Sequence, residues 1–141
     1  MKQPYILLVP ALLFLGLASG CETMSHRQVT DARSAVELRS FQTRAFDTTD
    51  SLKTLRSVIA TLQDLSFVID EADATLGSVS ATKLDGYEMR FTVTVRPRGQ
   101  SQLLVRTNAQ LGLKAIEDPQ LYQAFFASLE KSMFLAAHAI D

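Results

Sequence analysis

From Tyr87 to Arg96 the chain alternates without a break. Tyr87, Met89, Phe91, Val93 and Val95 take one parity, and Glu88, Arg90, Thr92, Thr94 and Arg96 take the other. Successive side chains of a strand point to opposite faces, so a strand sorts these residues into one apolar and one wet face, whereas a helix would scatter both sets around its circumference. Pro97-Arg98-Gly99-Gln100 then turns the chain. Beyond it Leu103, Val105, Thr107 and Ala109 alternate with Leu104, Arg106 and Asn108. The two runs predict an antiparallel hairpin. Its polar face gathers Glu88, Arg90, Thr92, Thr94 and Arg96 with Arg106 and Asn108, and its apolar face must be buried against another layer.

Helices on either side supply that layer. Asp47-Thr48-Thr49-Asp50 offers N-cap side chains, and Leu52, Leu55, Ile59, Leu62 and Leu65 then recur every three or four residues. This predicts an amphipathic helix of about 16 residues, with Lys53, Arg56, Thr61 and Gln63 on its outer side, stopping near Ser66. Asp118-Pro119 is a second helix start, since proline at the first helical position loses no hydrogen bond. Tyr122, Phe125, Phe126, Leu129, Met133, Ala136, Ala137 and Ile140 give the helix that follows a wide apolar face. Shorter strands are expected over Leu38–Phe46, with Phe41, Thr43 and Ala45 inward, over Phe67–Ile69, and over Ser78–Thr82 with Val79 and Ala81 sharing a face. The acidic cluster Asp70, Glu71 and Asp73 reads as a strand end or loop, and Asp85-Gly86 as a turn. The expected fold is therefore α+β, β-α-β-β-β-β-α, a single antiparallel sheet of about five strands with two helices packed on one face.

The first 20 residues do not belong to that domain. Lys2 precedes an apolar segment from about Tyr5 to Leu17, and Leu17-Ala18-Ser19-Gly20-Cys21 closes it with small residues before the only cysteine. This is the layout of a secretory signal peptide. A bilayer-spanning helix needs about 20 apolar residues, and this run is shorter and interrupted by Pro10 and Gly16. The stretch resembles the lipobox of bacterial lipoproteins, although Ala18 stands where that family most often has Leu. The resemblance implies diacylglyceryl transfer to the Cys21 thiol, cleavage between Gly20 and Cys21, and acylation of the new amino terminus. Three acyl chains exceed the two signals that stable anchoring requires. In enteric-type bacteria an Asp directly after the cysteine retains a lipoprotein in the inner membrane. Glu22 stands here, which implies transfer to the outer membrane with the domain facing the periplasm.

Three segments follow: a signal peptide over 1–20, a lipidated N-terminus and polar tether over 21–37, and one α+β domain over 38–141. If flexible, the tether spans roughly 20–25 Å. Without Lys2 the 14 basic residues fall to 13 against 15 acidic, a balance that gives no support to a nucleic-acid partner. The 121 remaining residues suffice for one modest core, and a lone cysteine excludes an internal disulfide.

No phosphate-cradling glycine loop, nucleophile with its base, or spaced metal-ligand set occurs. His26 falls in the tether and His138 near the end of the last helix, where a solvated or capping role accounts for it. Asp70, Glu71 and Asp73 lack the spacing and turn glycine of a calcium loop. The chain is expected to be no enzyme and to carry no cofactor and no metal. Element order, from the Leu52–Leu65 stripe through the turn at Gly77 and the hairpin to the helix from Leu121 to Ile140, resembles the helix-grip domains of accessory lipoproteins in outer-membrane β-barrel assembly. That likeness implies a non-catalytic accessory or scaffold subunit of an envelope complex, with an envelope protein as partner and the membrane held through the lipid. The polar hairpin face is its candidate docking surface, though a plain solvated face would look the same. The alternative is a binding module for a lipid or small apolar ligand, lined by Phe91, Phe125 and Phe126. A sizeable apolar cavity between sheet and helix would favour it.

Overall fold

The computed structural model describes residues 34–84 and 86–138, except for the side chains of 135–138. Helix α1 (34–42) leads into β1 (Thr43–Phe46) and α2 (Ser51–Asp64). Strands β2 (Val68–Asp73), β3 (Ser78–Leu84), β4 (Glu88–Arg98), β5 (Gln102–Leu111) and β6 (Lys114–Ala115) follow, and α3 (Pro119–His138) comes last. All strand pairings are antiparallel, in the order β1-β5-β4-β3-β2, with the two-residue β6 also on β5. The architecture is the expected α+β one, with one sheet of six strands and, ahead of it, a third helix whose described residues are 34–42.

The β4–β5 hairpin is the centre of the sheet. Its register sets Phe91 opposite Ala109, Val93 opposite Thr107 and Val95 opposite Val105, so the apolar parities of both strands share one face. Those residues are buried, and Val79 and Ala81 of β3 join them. Against this face α3 lays Tyr122, Phe125, Phe126 and Leu129, an i, i+3, i+4, i+7 stripe that is at most 1% exposed. Phe67, Phe91, Phe125 and Phe126 form a chain of rings with successive centroids 5.5, 5.0 and 5.3 Å apart, the first two pairs tilted and the last edge-on. Each buried ring stabilises by about 1.5–3 kcal/mol, and such geometry adds to that.

Both helix starts follow their sequence signals. Asp50 Oδ1 accepts from the Lys53 amide at 2.9 Å, and Asp118 Oδ1 from the Gln120 amide at 2.9 Å. The end of α2 is a Schellman closure: the Ser66 amide donates to the Gln63 carbonyl and the Phe67 amide to the Leu62 carbonyl, each at 2.9 Å. Ser66 holds the left-handed position, at φ 67°, that glycine usually takes. At the β2–β3 turn glycine is required. Gly77 has φ 57°, and a Cβ there would lie 2.6 Å from the Val95 carbonyl oxygen.

Four expectations are corrected. Residues 38–42 are helical, so the first strand begins at Thr43, and its parity is the reverse of that expected. Arg44 pairs with Val105 and Phe46 with Leu103, which puts Arg44 and Phe46 on the helix side and Thr43 and Ala45 on the other. Arg44 tolerates this place because its guanidinium lies 4.8 Å over the Phe126 ring and reaches Glu130 Oε1 at 2.6 Å. The buried face of α2 is turned relative to the expected stripe, taking in Thr54, Leu55, Ser57, Val58, Thr61 and Leu62. Leu52 is 56% exposed, whereas Thr61 is buried. Small side chains at these places let α2 approach α3, against which it packs. Strand β2 runs on through the acidic cluster to Asp73, with an irregularity between Ile69 and Glu71. Tyr87 precedes β4 and is 72% exposed, so the buried parity begins after it.

Candidate functional site

The face of the sheet turned away from the helices carries the polar parity expected of the hairpin. Thr92 stands opposite Asn108 and Thr94 opposite Arg106. On the other side of β4, Arg90 faces Thr82, Thr92 faces Ser80 and Thr94 faces Ser78. Glu88, Arg90, Arg96, Arg106 and Asn108 are exposed, and among the described residues no helix packs over them. The face is graded in charge. Its β2 border holds Glu71 opposite Ser80 and Asp73 opposite Ser78, a band of hydroxyls follows, and Arg90, Arg96 and Arg106, with Glu88 beside Arg90, occupy β4 and β5.

These charges are differently committed. Arg96 Nη1 donates to the Leu76 carbonyl, which ties it to the turn beside Gly77. Arg90 reaches Glu88 at 3.3 Å, with both side chains more than half exposed, and such a pair contributes little. Asp70 Oδ2 accepts from the Thr82 hydroxyl at 2.7 Å, and Asp73 Oδ1 from the Leu76 amide at 2.8 Å. The acidic cluster is thereby used in holding β2 and its turn. Among the described residues no group of three or more His, Cys, Asp or Glu side chains is placed to hold a metal ion.

On the helix side, Tyr122 is a buried polar node. Its hydroxyl donates to the Ile116 carbonyl and accepts from Gln42 Nε2 at 3.2 Å and from the Ala109 amide at 3.3 Å. It fastens α1 and the β5–α3 connection to the sheet, which is a structural task. One buried hydroxyl has no partner: Thr61 Oγ1, among the described residues.

Between the sheet and the first turns of α3 lies an apolar pocket of about 190 Å³. Phe67, Phe91, Phe125, Met89 and Leu121 wall it, and Tyr87, Leu111 and Lys83 stand among its lining. Phe91 and Phe125 are where a ligand-binding reading of the sequence puts them. Phe126 is absent from the lining and is fully buried beneath Arg44. The site missed by sequence reasoning is Lys83. It follows Val79 and Ala81 on the same parity, opposite Met89, so a cation stands on the helix-facing side, with Nζ 5.8 Å from the Phe67 ring centroid. A lysine two places beyond two core residues of a strand was its available signal.

Gly20, Cys21 and His26 lie outside the described residues, as do Asp85 and the side chains of Ala136, Ala137, His138 and Ile140. Among the described residues no helix is long and apolar enough to cross a membrane. No protein-family model matches the chain, and no curated protein matches it.

Proposed function

We propose that this chain is a lipoprotein anchored through Cys21 in the outer membrane, facing the periplasm, and working without catalysis as an accessory or scaffold subunit of an envelope complex engaged in assembly or transport. The observation that carries the docking role is the exposed, charge-graded sheet face. Arg90 and Arg106 stand on it, exposed and without a fold-holding bond of the kind that occupies Arg96. Paired patches of opposite charge steer encounter and fix register more than they set affinity, which suits a tethered subunit already concentrated beside its partner.

The test is mild crosslinking in membranes followed by affinity purification of the full-length chain, in native form and with Arg90→Gln and Arg106→Gln together. The reading expects an envelope protein to co-purify with the native chain and to be depleted with the variant. A clean monomer under every crosslinking condition overturns it. The anchor is tested by Cys21→Ser and membrane fractionation. Loss from the membrane is expected, and an unchanged membrane fraction with the signal segment intact would indicate a spanning helix instead.

A second reading, a binding module for a lipid or small apolar ligand, is favoured by the pocket between the sheet and α3. Its walls are almost wholly carbon, as ligand sites commonly are, with few polar groups to orient what enters.

A further inference from the structure

The pocket contains more information than its apolarity. A cavity of about 150 Å³ lined by aliphatic and aromatic side chains admits one benzene, and this one, at about 190 Å³, is of the same order. It therefore takes the body of a small molecule, and a long lipid chain would have to leave most of its length outside. The rim is also apolar: Tyr87 is 72% exposed, Leu111 39% and, in the next turn, Leu113 is fully exposed. Register brings these together, since Met89 pairs with Leu111 and the Gly112 amide donates to the Glu88 carbonyl.

Lys83 supplies the polar element. On the parity of Val79 and Ala81, it is among the residues lining the pocket, and its ammonium lies 5.8 Å from the Phe67 centroid. Among the described residues no carboxylate forms an ion pair with it. A lysine at the edge of a core commonly snorkels its charge into water. What distinguishes this one is that the apolar surface beside it lines a pocket.

We propose that the pocket binds a small amphipathic carboxylate, an apolar body of about six to ten carbons ending in one anionic group, with Lys83 as the counter-charge. This rests on the binding-module reading and names the ligand class. The body displaces weakly held water from the space bounded by Phe91, Phe125 and Met89, and the carboxylate stays at the mouth, where the ammonium meets it without full desolvation of either charge.

The probes are 4-phenylbutyrate and its neutral amide, 4-phenylbutanamide, titrated against the full-length chain in lipid nanodiscs carrying 13C-methyl methionine. Met89 lines the pocket, and Met133, two turns beyond Phe126 along α3, serves as control. The expected result is saturable movement of the Met89 methyl signal without movement of Met133, with the amide binding about three- to fivefold more weakly, as an exposed charge pair allows. Lys83→Met should abolish the difference by weakening the acid alone, and Lys83→Arg should restore it. Equal binding of acid and amide to the native chain overturns the counter-charge while leaving the binding module standing. Failure of both probes to move Met89 overturns the module and the ligand class together. Movement of Met89 only on addition of the co-purified envelope protein makes the pocket a socket for a partner side chain, which also overturns the proposal.

Discussion

The two faces of this sheet are built from the same strands and answer to different physics. Toward the helices, Ala81, Val93, Val105, Thr107 and Ala109 have no measurable exposure, and any change of volume there leaves a hole or a collision. One residue along on either strand, Arg90, Arg106 and Asn108 stand in solvent, and the fold asks of them little beyond polarity. The inner face determines whether the chain folds. The outer face has freedom to carry charge for another purpose: the hydroxyl band separates Glu71 and Asp73 from the arginines, while Glu88 stands beside Arg90 on β4.

The sharpest way to test that contrast is to open the inner layer. Leu129→Ala should cost about 2–5 kcal/mol in urea unfolding, because Leu129 is fully buried between α3 and the sheet and the space it leaves is held open by rigid neighbours. A loss below about 1 kcal/mol would show the layer to be loosely packed. Tyr122→Phe keeps the ring and removes the hydroxyl, leaving the Gln42 amide, the Ala109 amide and the Ile116 carbonyl without that partner. The expected cost is about 1–3 kcal/mol, with faster hydrogen exchange over 34–42 as α1 loosens. Full retention of stability and of protection would mean that α1 is held by its apolar contacts alone.

Thr61→Val reverses the sign. Its hydroxyl is buried without a partner, and valine has nearly the same shape, so removing the oxygen relieves a desolvation cost. A gain of up to about 1 kcal/mol is expected, read as a higher urea midpoint at unchanged slope. A loss would reveal a hydrogen bond of that oxygen in solution.

How far the sequence could be read follows the same division. The alternation of β4 was legible because both its neighbours are strands, so each residue's environment is fixed by parity alone. Asp50 and Asp118-Pro119 were legible because capping is local. What escaped was decided across elements. Arg44 lies on the inner face because Phe126 and Glu130, more than 80 positions away, receive its guanidinium. Thr54, Ser57 and Thr61 are buried because α3 comes close to α2, and a hydropathy stripe counts such residues as outer ones. Residues 38–42 also fit a strand parity, and the contacts that go with the helix are long-range ones: Gln42 on the Tyr122 hydroxyl, the Phe41 ring stacked on Tyr122, and Leu38 against the core. The polar parities of β4 and β5 were legible from spacing, whereas the acidic border on β2 was not, because Glu71 and Asp73 join the face only through the pairing of β2 with β3. The pocket was anticipated through Phe91 and Phe125, and Lys83 was missed because its meaning depends on a cavity that only the packed α3 creates.

The smallest expected effect on the fold bears most directly on the contrast between the faces. Arg90→Gln with Arg106→Gln removes two exposed charges, of which only Arg90 has an ion-pair partner among the described residues, at 3.3 Å and largely in solvent. Stability should change by less than about 0.5 kcal/mol, since neither side chain fills space that another residue needs. If the outer face is a docking surface, the same variant should lose most of its crosslinked partner, and binding that remains should weaken less with added salt than in the native chain. A stability loss as large as that of Tyr122→Phe would mean that the outer charges help to hold the sheet, and the separation of folding from docking between the two faces would fail. Unchanged stability with unchanged crosslinking would leave the separation intact and place the partner elsewhere, on the pocket rim or the segment before residue 34.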